Sequence, residues 1–443
     1  MRRKSKAHPL APSLRKGETT MKKIFFSILL LASFFCNAQN VKPENDFIVQ
    51  LMNNDTSHFL QKILANKAGY RLQIIYTQID RDSLNQPHFT TYTLDADKYY
   101  YYCASMIKLP AVVLSLEKLN NLNSQYHVTK FDSLHFNDYW CDGLNERNMM
   151  DTSRNPCIAE YVKEIFLCSN NACFNSLYDF LGQKYFADRC HQLGFNSVCV
   201  VNRFASCDTF ANRITNPYSL YDRKTGGLKY YSEPVINPLH PKYTGPLNPF
   251  VGKTVKKGYN TIYSPHSFKY SDYISLSDLH RMLTHIMFPQ TQPDSQKLNL
   301  TTSDYQFLHK YMSMYPHESK YPAYDSTYKD DCVKYYLKAD TNGRFPTQFR
   351  IFNKVGFSWG FMTDCSYVID TVNKVEFILS AAIYVNANDI YDSKFEYYST
   401  GFPFFRHMFN EVYNYELTRP REYKPIFEKI NYVDDVLPSH FNN

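Results

Sequence analysis

The chain has 443 residues, 44% of them hydrophobic, which is enough for one large folded domain or two ordinary ones and argues against disorder. The net charge of +7 comes from residues 1–38, which hold eight of the 49 lysines and arginines and one of the 42 acidic residues. The rest of the chain is neutral, which excludes nucleic acid as an expected partner.

Residues 1–38 are predicted to be a leader with a signal peptide. Two lysines precede an apolar stretch over 24–35, and small residues follow around Ala38. The stretch is shorter than the roughly 20 residues that cross a membrane, so we expect no transmembrane anchor after cleavage. Cys36 follows the bulky Phe35, which disfavours a lipid anchor. The mature protein is therefore expected to be exported, to the periplasm.

The spacing of apolar residues predicts most elements of the chain. Helical spacing predicts helices over 45–67, 105–122, 157–167, 172–181, 184–193, 277–288, 302–314 and 402–414. Apolar runs typical of strands cover 70–80, 88–94, 348–357, 360–370 and 375–386.

Strands therefore lie at both ends of the chain, with helices between them. This order predicts an α/β fold of the α+β type, in which 39–104 and 349–443 build one antiparallel sheet and a helical part, 105–348, is inserted. Residues 216–272 lack periodicity and are expected to be a long ordered loop or small subdomain. A single domain, 39–443, would then carry its site at the junction of sheet and helices.

The cysteines form no metal motif. Ten of the 11 follow the leader, eight of them from Cys103 to Cys207, and sequence cannot choose among their pairings. They show no CxxC spacing and do not cluster with histidines, so we expect neither a metal nor a cofactor.

The segment CASMIKLP carries a serine and a lysine three residues apart, Ser105 and Lys108. Of the four such pairs in the chain, only this one follows a predicted strand and opens an apolar helix, which puts both side chains on one face. Burial and the positive helix N-terminus disfavour an ammonium ion, so Lys108 could act as a base toward the Ser105 hydroxyl. The alternative, for an isolated pair, is a serine N-cap beside a solvated lysine.

A second motif, SNN, separates two helical runs. Ser169 and Asn171 can project side by side into a cleft, one to pass a proton and the other to hold a substrate amide. Taken alone, the motif could also be an ordinary N-cap before the next helix.

A third motif, a lysine followed two residues later by glycine, has two candidates. Lys224-Thr225-Gly226 lies in the aperiodic segment, where its composition is that of a turn. Lys354-Val355-Gly356 lies on a predicted strand, where Gly356 would let a substrate backbone approach closely. We therefore choose Lys354.

Together these motifs resemble those of the penicillin-recognising serine hydrolases, and within them the class A β-lactamase-like branch. The resemblance rests on CASMIKLP, on SNN followed by ACFNSLYDFLG, and on KVGFSWGFMTD, and it covers nearly the whole mature chain in the family's order. It implies that family's fold and an acyl-enzyme mechanism.

The resemblance also implies a role for each residue. Ser105 would attack a carbonyl, Lys108 would help to deprotonate it, and Ser169 would relay a proton to the leaving nitrogen. Asn171 would hold the substrate's side-chain amide, and Lys354 would attract a substrate carboxylate. The oxyanion would be held by the backbone N–H groups of Ser105 and Phe357.

Two departures from the family pattern stand out. Val355 supplies no hydroxyl where the family usually has Thr or Ser. After 193–204, where such an enzyme would present the glutamate that activates the deacylating water, the chain reads ASCDTFANR. Glu233 has the family's Glu-x-x-x-Asn spacing but lies later in the chain, and Asp208 is a weaker candidate.

We therefore expect an exported serine hydrolase that opens β-lactam amides through a seryl ester. Its partner would be a small-molecule or peptide substrate, a β-lactam or a peptidoglycan stem peptide. A D-Ala-D-Ala peptidase or esterase on the same fold is the first alternative. A non-catalytic module that senses cell-wall peptides or β-lactams is the second. The missing glutamate favours a long-lived acyl-enzyme over efficient turnover.

Overall fold

The computed structural model describes residues 40–41, 46–137, 156–204, 207–392, 394–430 and 432. The chain divides into two units, Met1–Ala38 and Gln39–Asn443, and every described residue belongs to the second. The predicted leader and its signal features lie outside the described residues.

The helices of the described chain occupy much of its middle and both ends of the domain. They are α1 (Asp46–Asn53), α2 (Phe59–Ala65), α3 (Lys108–Tyr126), α4 (Ile158–Cys168), α5 (Asn171–Leu181), α6 (Gln183–Gln192), α7 (Leu276–Met287), α8 (Thr302–Ser313) and α9 (Phe402–Thr418). None of these helices is both long enough and apolar enough to cross a membrane.

The strands include a group early in the chain, short pairs in the middle and three long strands near the end. They are β1 (Asn40–Val41), β2 (Gln73–Arg81), β3 (Pro87–Leu94), β4 (Ser133–Phe136), β5 (Tyr218–Tyr221), β6 (Leu228–Ser232), β7 (Phe250–Val251), β8 (Thr254–Lys257), β9 (Asn260–Ile262), β10 (His266–Ser267), β11 (Phe349–Ser358), β12 (Phe361–Asp370), β13 (Val375–Tyr384) and β14 (Ile390–Tyr391).

The main sheet joins the two ends of the chain. Its strand order is β1-β3-β2-β13-β12-β11, and all its pairs are antiparallel except β1 with β3. β13 pairs with β2, so the late strands add directly to the early ones, while β11 forms an edge. The predicted α+β class, with a sheet from both chain ends and an inserted helical region, is confirmed.

The sheet is covered on both faces, which explains the long apolar runs of its strands. Every residue of β12 and β13 is buried. Ile378 faces a core shared with α3, α4, α5, α7 and α8, whereas its neighbours Phe377 and Leu379 face a second core against α1, α2 and α9. Fully burying one such side chain stabilises the fold by about 1.5–3 kcal/mol, so these two cores fix the sheet between its helical layers.

Two predictions about elements differ from the structure. The helix expected over 45–67 is broken, because Asp55 accepts hydrogen bonds from the N–H groups of Ser57 and Leu60 and begins a new helix there. The aperiodic segment 216–272 contains six short strands, which pair with β4, with β14 and among themselves. Strands of two to five residues are too short to show a sequence period.

Candidate active site

Ser105 lies at the start of the central helix. A 3₁₀ turn, Ala104–Ile107, runs directly into α3, and Ala104 adopts the left-handed conformation with φ 46°. Such strained residues occur mainly where the surrounding structure holds them in place, often at active sites. The half-buried Ser105 hydroxyl and its backbone N–H make no hydrogen bond to any described residue. Both groups are therefore available to a ligand.

Lys108, the first residue of α3, is buried and points at the SNN motif. Its amine donates to the Ser169 carbonyl at 2.5 Å and to Asn171 Oδ1 at 2.6 Å. The SNN backbone makes this contact possible, because α4 ends at Cys168, Ser169 takes a left-handed φ of 56°, and Asn170 caps α5 with its own side chain. Asn170 therefore caps the helix, and the Lys108 amine contacts Ser169 and Asn171 instead.

Lys354 approaches Ser169 from the sheet. Its amine donates to Ser169 Oγ at 2.8 Å and to the Val355 carbonyl at 2.7 Å. The amine of Lys108 lies 3.4 Å from the same Oγ. The Ser169 hydroxyl therefore bridges two buried amines, a geometry in which a proton can pass between them.

Burial lowers the pKa values of both lysines. Desolvation lowers the pKa of Lys108 well below its usual value, and the charge of Lys354 lowers it further. Desolvation lowers the pKa of Lys354 to about 7, against the opposing attraction of Asp364. The strongly lowered pKa suits Lys108 to accept a proton as a base, and a pKa of about 7 lets Lys354 act as a positive charge that is lost on deprotonation.

A buried polar network behind Lys354 was not predicted from the sequence. Lys334 donates to the carbonyl of Ile351 and to Asn353 Oδ1, both at 2.9 Å, and Asn353 in turn donates to Asp364 at 3.0 Å. The Lys334 charge lowers the pKa of Lys354 while Asp364 raises it. The network therefore sets the electrostatic environment of Lys354, which follows Asn353 on β11.

Gly356 lets the sheet contact the Ser105 backbone. A Cβ atom at this position would lie 2.8 Å from the Cys103 carbonyl oxygen and 3.1 Å from the Ser105 nitrogen. Only glycine permits this approach, which brings β11 and the 3₁₀ turn together. The Ser105 backbone thus lies against the strand that carries Lys354.

Replacing Gly356 by alanine is expected to lower the free energy of unfolding by about 1–3 kcal/mol, because the methyl group overlaps backbone atoms that cannot rotate away. Urea unfolding of both proteins measures the difference. Gly227→Ala is the matched control, since a Cβ there meets only Thr225 Oγ1 at 3.4 Å and should change stability by about 0.5 kcal/mol or less. Equal stability of Gly356→Ala and the wild type would contradict the close approach.

The N–H of Phe357 points to the open edge of β11. The carbonyl groups of Phe349 and Ile351 accept from Tyr315 and Lys334 rather than from β12. Odd-numbered residues of β11 therefore direct their N–H and C=O groups away from the sheet, since the two groups of one residue point to the same side. Phe357 shares this parity, and its N–H donates to no described acceptor. The Phe357 N–H is therefore a second donor, in addition to the Ser105 N–H, that a ligand can reach at the open edge of β11.

Phe204 occupies the other side of Lys108. Its ring centroid lies 5.2 Å from the Lys108 amine, and the Asn175 side chain binds both its N–H, at 2.8 Å, and its carbonyl, at 3.4 Å. The preceding Arg203 is buried and bonded to Asp179 at 2.6 and 3.0 Å. The Asn175 amide and this ion pair thus hold the backbone that places the Phe204 ring beside the Lys108 amine.

The two acids considered from the sequence lie on the surface. Glu233 is exposed beyond β6, with Tyr231 as its described hydrogen-bond donor at 3.4 Å, and Asp208 is exposed and caps a short turn by accepting from Ala211. Neither has a described contact with the two lysines. The alternative third motif, at Lys224, is an exposed turn between β5 and β6.

Three further predictions concern the residue after Lys354, metal binding and the cysteines. Val355 is buried in the core against α9 and presents no hydroxyl. Within the described residues, no group of His, Cys, Asp or Glu side chains could hold a metal ion. Cys207 is disulfide-bonded, whereas Cys168, beside the SNN motif, is a free thiol.

Comparison with known proteins gives matches among solved structures. The TLA-1 extended-spectrum β-lactamase matches with a TM-score of 0.46 and 12% identity, over 84% of this chain and 99% of its own. PBP-A matches with a TM-score of 0.42 and 13% identity, over 84% and 97%. A β-lactamase from Burkholderia phymatum matches with a TM-score of 0.42 and 9% identity, over 82% and 99%. No protein-family model and no curated protein matches the sequence.

These names fall in the class of proteins that the sequence motifs resemble. The chemistry of the site is set by its own residues.

Proposed function

We propose that this protein is an exported serine hydrolase of the penicillin-binding type, which opens the amide bond of a β-lactam or a D-alanyl peptide through a seryl ester on Ser105. The observation that carries the proposal is the convergence of two buried amines on Ser169, with Gly356 holding β11 against the Ser105 backbone. Buried amines with lowered pKa values are costly to a fold and are typical of catalytic sites.

The proposed reaction begins at the Ser105 hydroxyl. Its oxygen bonds to the substrate carbonyl carbon while its proton passes to the neutral amine of Lys108. The oxyanion that forms is bound by the two free N–H donors, those of Ser105 and Phe357. The carbon–nitrogen bond then breaks, and the leaving nitrogen takes the proton of the Ser169 hydroxyl. Ser169 is reprotonated by the amines that it bridges.

Hydrolysis of the resulting ester needs a water molecule and a base, and this step is proposed to be slow. Phe204 covers the Lys108 amine with an aromatic ring. Glu233 and Asp208 are exposed on other parts of the surface. A long-lived acyl-enzyme favours a peptidase, transpeptidase or sensor over an enzyme that destroys antibiotics efficiently.

Labelling with a fluorescent penicillin tests the proposal. The wild type is expected to become labelled and Ser105→Ala is not, because the alanine offers no oxygen to acylate. Ser115→Ala is the matched control: Ser115 also precedes a lysine by three residues, yet its hydroxyl is bonded to the Ala111 carbonyl within α3. Equal labelling of the wild type and Ser105→Ala would refute the proposed nucleophile.

The rate of acylation by an anionic β-lactam is expected to fall as the pH rises through about 7. Lys354 changes from an ammonium ion to a neutral amine as the pH passes its pKa of about 7, and it then no longer attracts the substrate carboxylate. Protonation of Lys108 lowers the rate at acid pH, so the profile of kcat/KM should be bell-shaped.

Stopped-flow acylation rates between about pH 5 and 9 measure this profile, with an uncharged ester as the comparison substrate. The ester should show a weaker alkaline decline, because it has no carboxylate for Lys354 to attract. The same decline for both substrates would contradict the role given to Lys354.

A further inference from the structure

Residues 250–267, which we call the ribbon, fold into two paired strands that turn at Gly258 and Tyr259. β7 pairs with β10 at the base of the ribbon, and β8 pairs with β9 next to the turn. On its other side β8 pairs with β14, whereas β9 forms an edge of this small sheet. At the base, His266 stacks on the Trp359 ring with centroids 5.1 Å apart. The ribbon is therefore fixed to the domain at its base and through β14.

Large apolar side chains are exposed at the tip of the ribbon. Every residue from Gly258 to Pro265 is exposed. Tyr259 is fully exposed, Tyr263 is 86% exposed and Ile262 is 47% exposed. Single exposed apolar residues are common on proteins, but three within five residues beside an edge strand form a cluster of the kind that marks an interaction surface.

The same part of the chain is positively charged. Residues 234–271 hold five lysines and no acidic residue, although the chain after the leader is neutral. Asp389 and Asp392, which flank β14, lie 2.9 Å from the Lys253 amine and 3.8 Å from the Lys256 amine. Five lysines against two aspartates leave an excess of three positive charges. A partner of the ribbon is therefore expected to be anionic.

We propose that the ribbon docks the protein onto the surface of an anionic lipid bilayer. Tyrosine rings suit the level of the lipid headgroups, and lysines near a membrane are attracted to anionic lipids. Ile262 adds an aliphatic side chain, which a lipid surface can bury and a soluble anionic polymer would leave in water. The docking does not depend on the proposed reaction, because no residue of that reaction lies in the ribbon.

Docking would hold the candidate site near the bilayer. Seven residues separate Tyr259 at the tip from His266 at the base, and an extended chain of that length spans roughly 20 Å. His266 stacks on Trp359, three residues after Gly356, whose backbone meets that of Ser105. Three more residues of strand add roughly 10 Å, so the site would lie within about 30 Å of the lipid surface.

Flotation with lipid vesicles tests the docking. Residues 1–38 contain an apolar stretch that would bind lipid by itself, so the assay uses residues 39–443, which form a compact unit of their own. The protein is expected to float with vesicles of equal parts phosphatidylglycerol and phosphatidylcholine, and to stay behind when the vesicles are phosphatidylcholine alone.

Two variants of the ribbon separate charge from apolar contact. Lys256→Gln should lower the partition coefficient roughly fivefold, the effect of one lysine near an anionic membrane surface. The double variant Tyr259→Ser, Tyr263→Ser should lower it about tenfold, because two rings no longer bury apolar area among the lipids. All three positions are exposed, so the melting temperatures should match that of the wild type.

The opposite end of the main sheet supplies matched controls. Lys374 lies in the β12–β13 turn, and the 10 residues of β12 put roughly 33 Å between that turn and the β11–β12 turn. Tyr423, which is also exposed, bridges to Arg81 at the same far end. Lys374→Gln and Tyr423→Ser should leave the partition coefficient unchanged.

Two results would overturn the docking. The first is a failure of residues 39–443 to float with the anionic vesicles. The second is full vesicle binding by the double tyrosine variant; if that variant and the wild type also bind soluble dextran sulfate equally, the ribbon recognises an anionic glycan by charge rather than a lipid surface.

Discussion

Replacement of Lys108 by methionine is expected to slow acylation of Ser105 by about 10²–10⁴-fold, the usual contribution of a positioned base. Methionine has a similar length and no amine, so it fills the space without accepting the Ser105 proton. Stopped-flow measurement with a chromogenic cephalosporin gives the acylation rate directly.

Lys118→Met is the control for this prediction. Lys118 lies on the same helix, follows Ser115 by three residues, and is also largely buried, with its amine bonded to the Phe180 and Leu181 carbonyl groups. Burial lowers the pKa of Lys118 to about 8. Its replacement should leave acylation unchanged, so that a loss confined to Lys108→Met reflects the position of that amine. Wild-type acylation rates in Lys108→Met would contradict its role as the base.

Replacement of Phe204 by glutamate is expected to convert a slow acyl-enzyme into a turning-over hydrolase. The Asn175 amide holds the backbone of residue 204 by its N–H and carbonyl groups, and the Phe204 ring lies over the Lys108 amine. A carboxylate there would stand beside the ester and could take a proton from water. Deacylation should accelerate by about 10²–10⁴-fold, measured as product formed beyond one equivalent of enzyme.

Phe204→Gln separates the base from the change of shape. Glutamine has nearly the same size as glutamate but cannot accept the proton, so this variant should still stop after one equivalent. If folded Phe204→Glu releases no more product than the wild type, the ring is not what limits deacylation. Turnover by Phe204→Gln would point instead to water entry as the limiting factor.

The main sheet could be predicted from the sequence because its strands are long and buried on both faces. A nearly continuous apolar run such as VEFILSAAIY in β13 is typical of a buried strand. Its position late in the chain, after the helices, fits a sheet in which β13 pairs with the early strand β2. The break between α1 and α2 was missed, because Asp55 acts there through side-chain bonds to the backbone that apolar periodicity does not record.

The lysines of the candidate site could be found from the sequence, whereas their surroundings could not. Ser105 and Lys108 are marked by local spacing, and Lys354 by its strand and glycine. The network of Lys334, Asn353 and Asp364 joins a loop to two strands and has no local signature.

The same holds for Phe204, which no sequence pattern singles out. Only the fold reveals that the Asn175 amide directs this ring over Lys108. Contacts between side chains far apart in the chain arise from the packing of elements, so local patterns do not contain them.

The proposed mechanism depends above all on acylation of Ser105, and intact-mass analysis after exposure to benzylpenicillin measures that step. The protein is expected to gain the mass of one penicillin, in an adduct that persists over many minutes and maps to the peptide containing CASMIKLP. An unchanged mass, or an adduct that forms equally on Ser105→Ala, would contradict the mechanism.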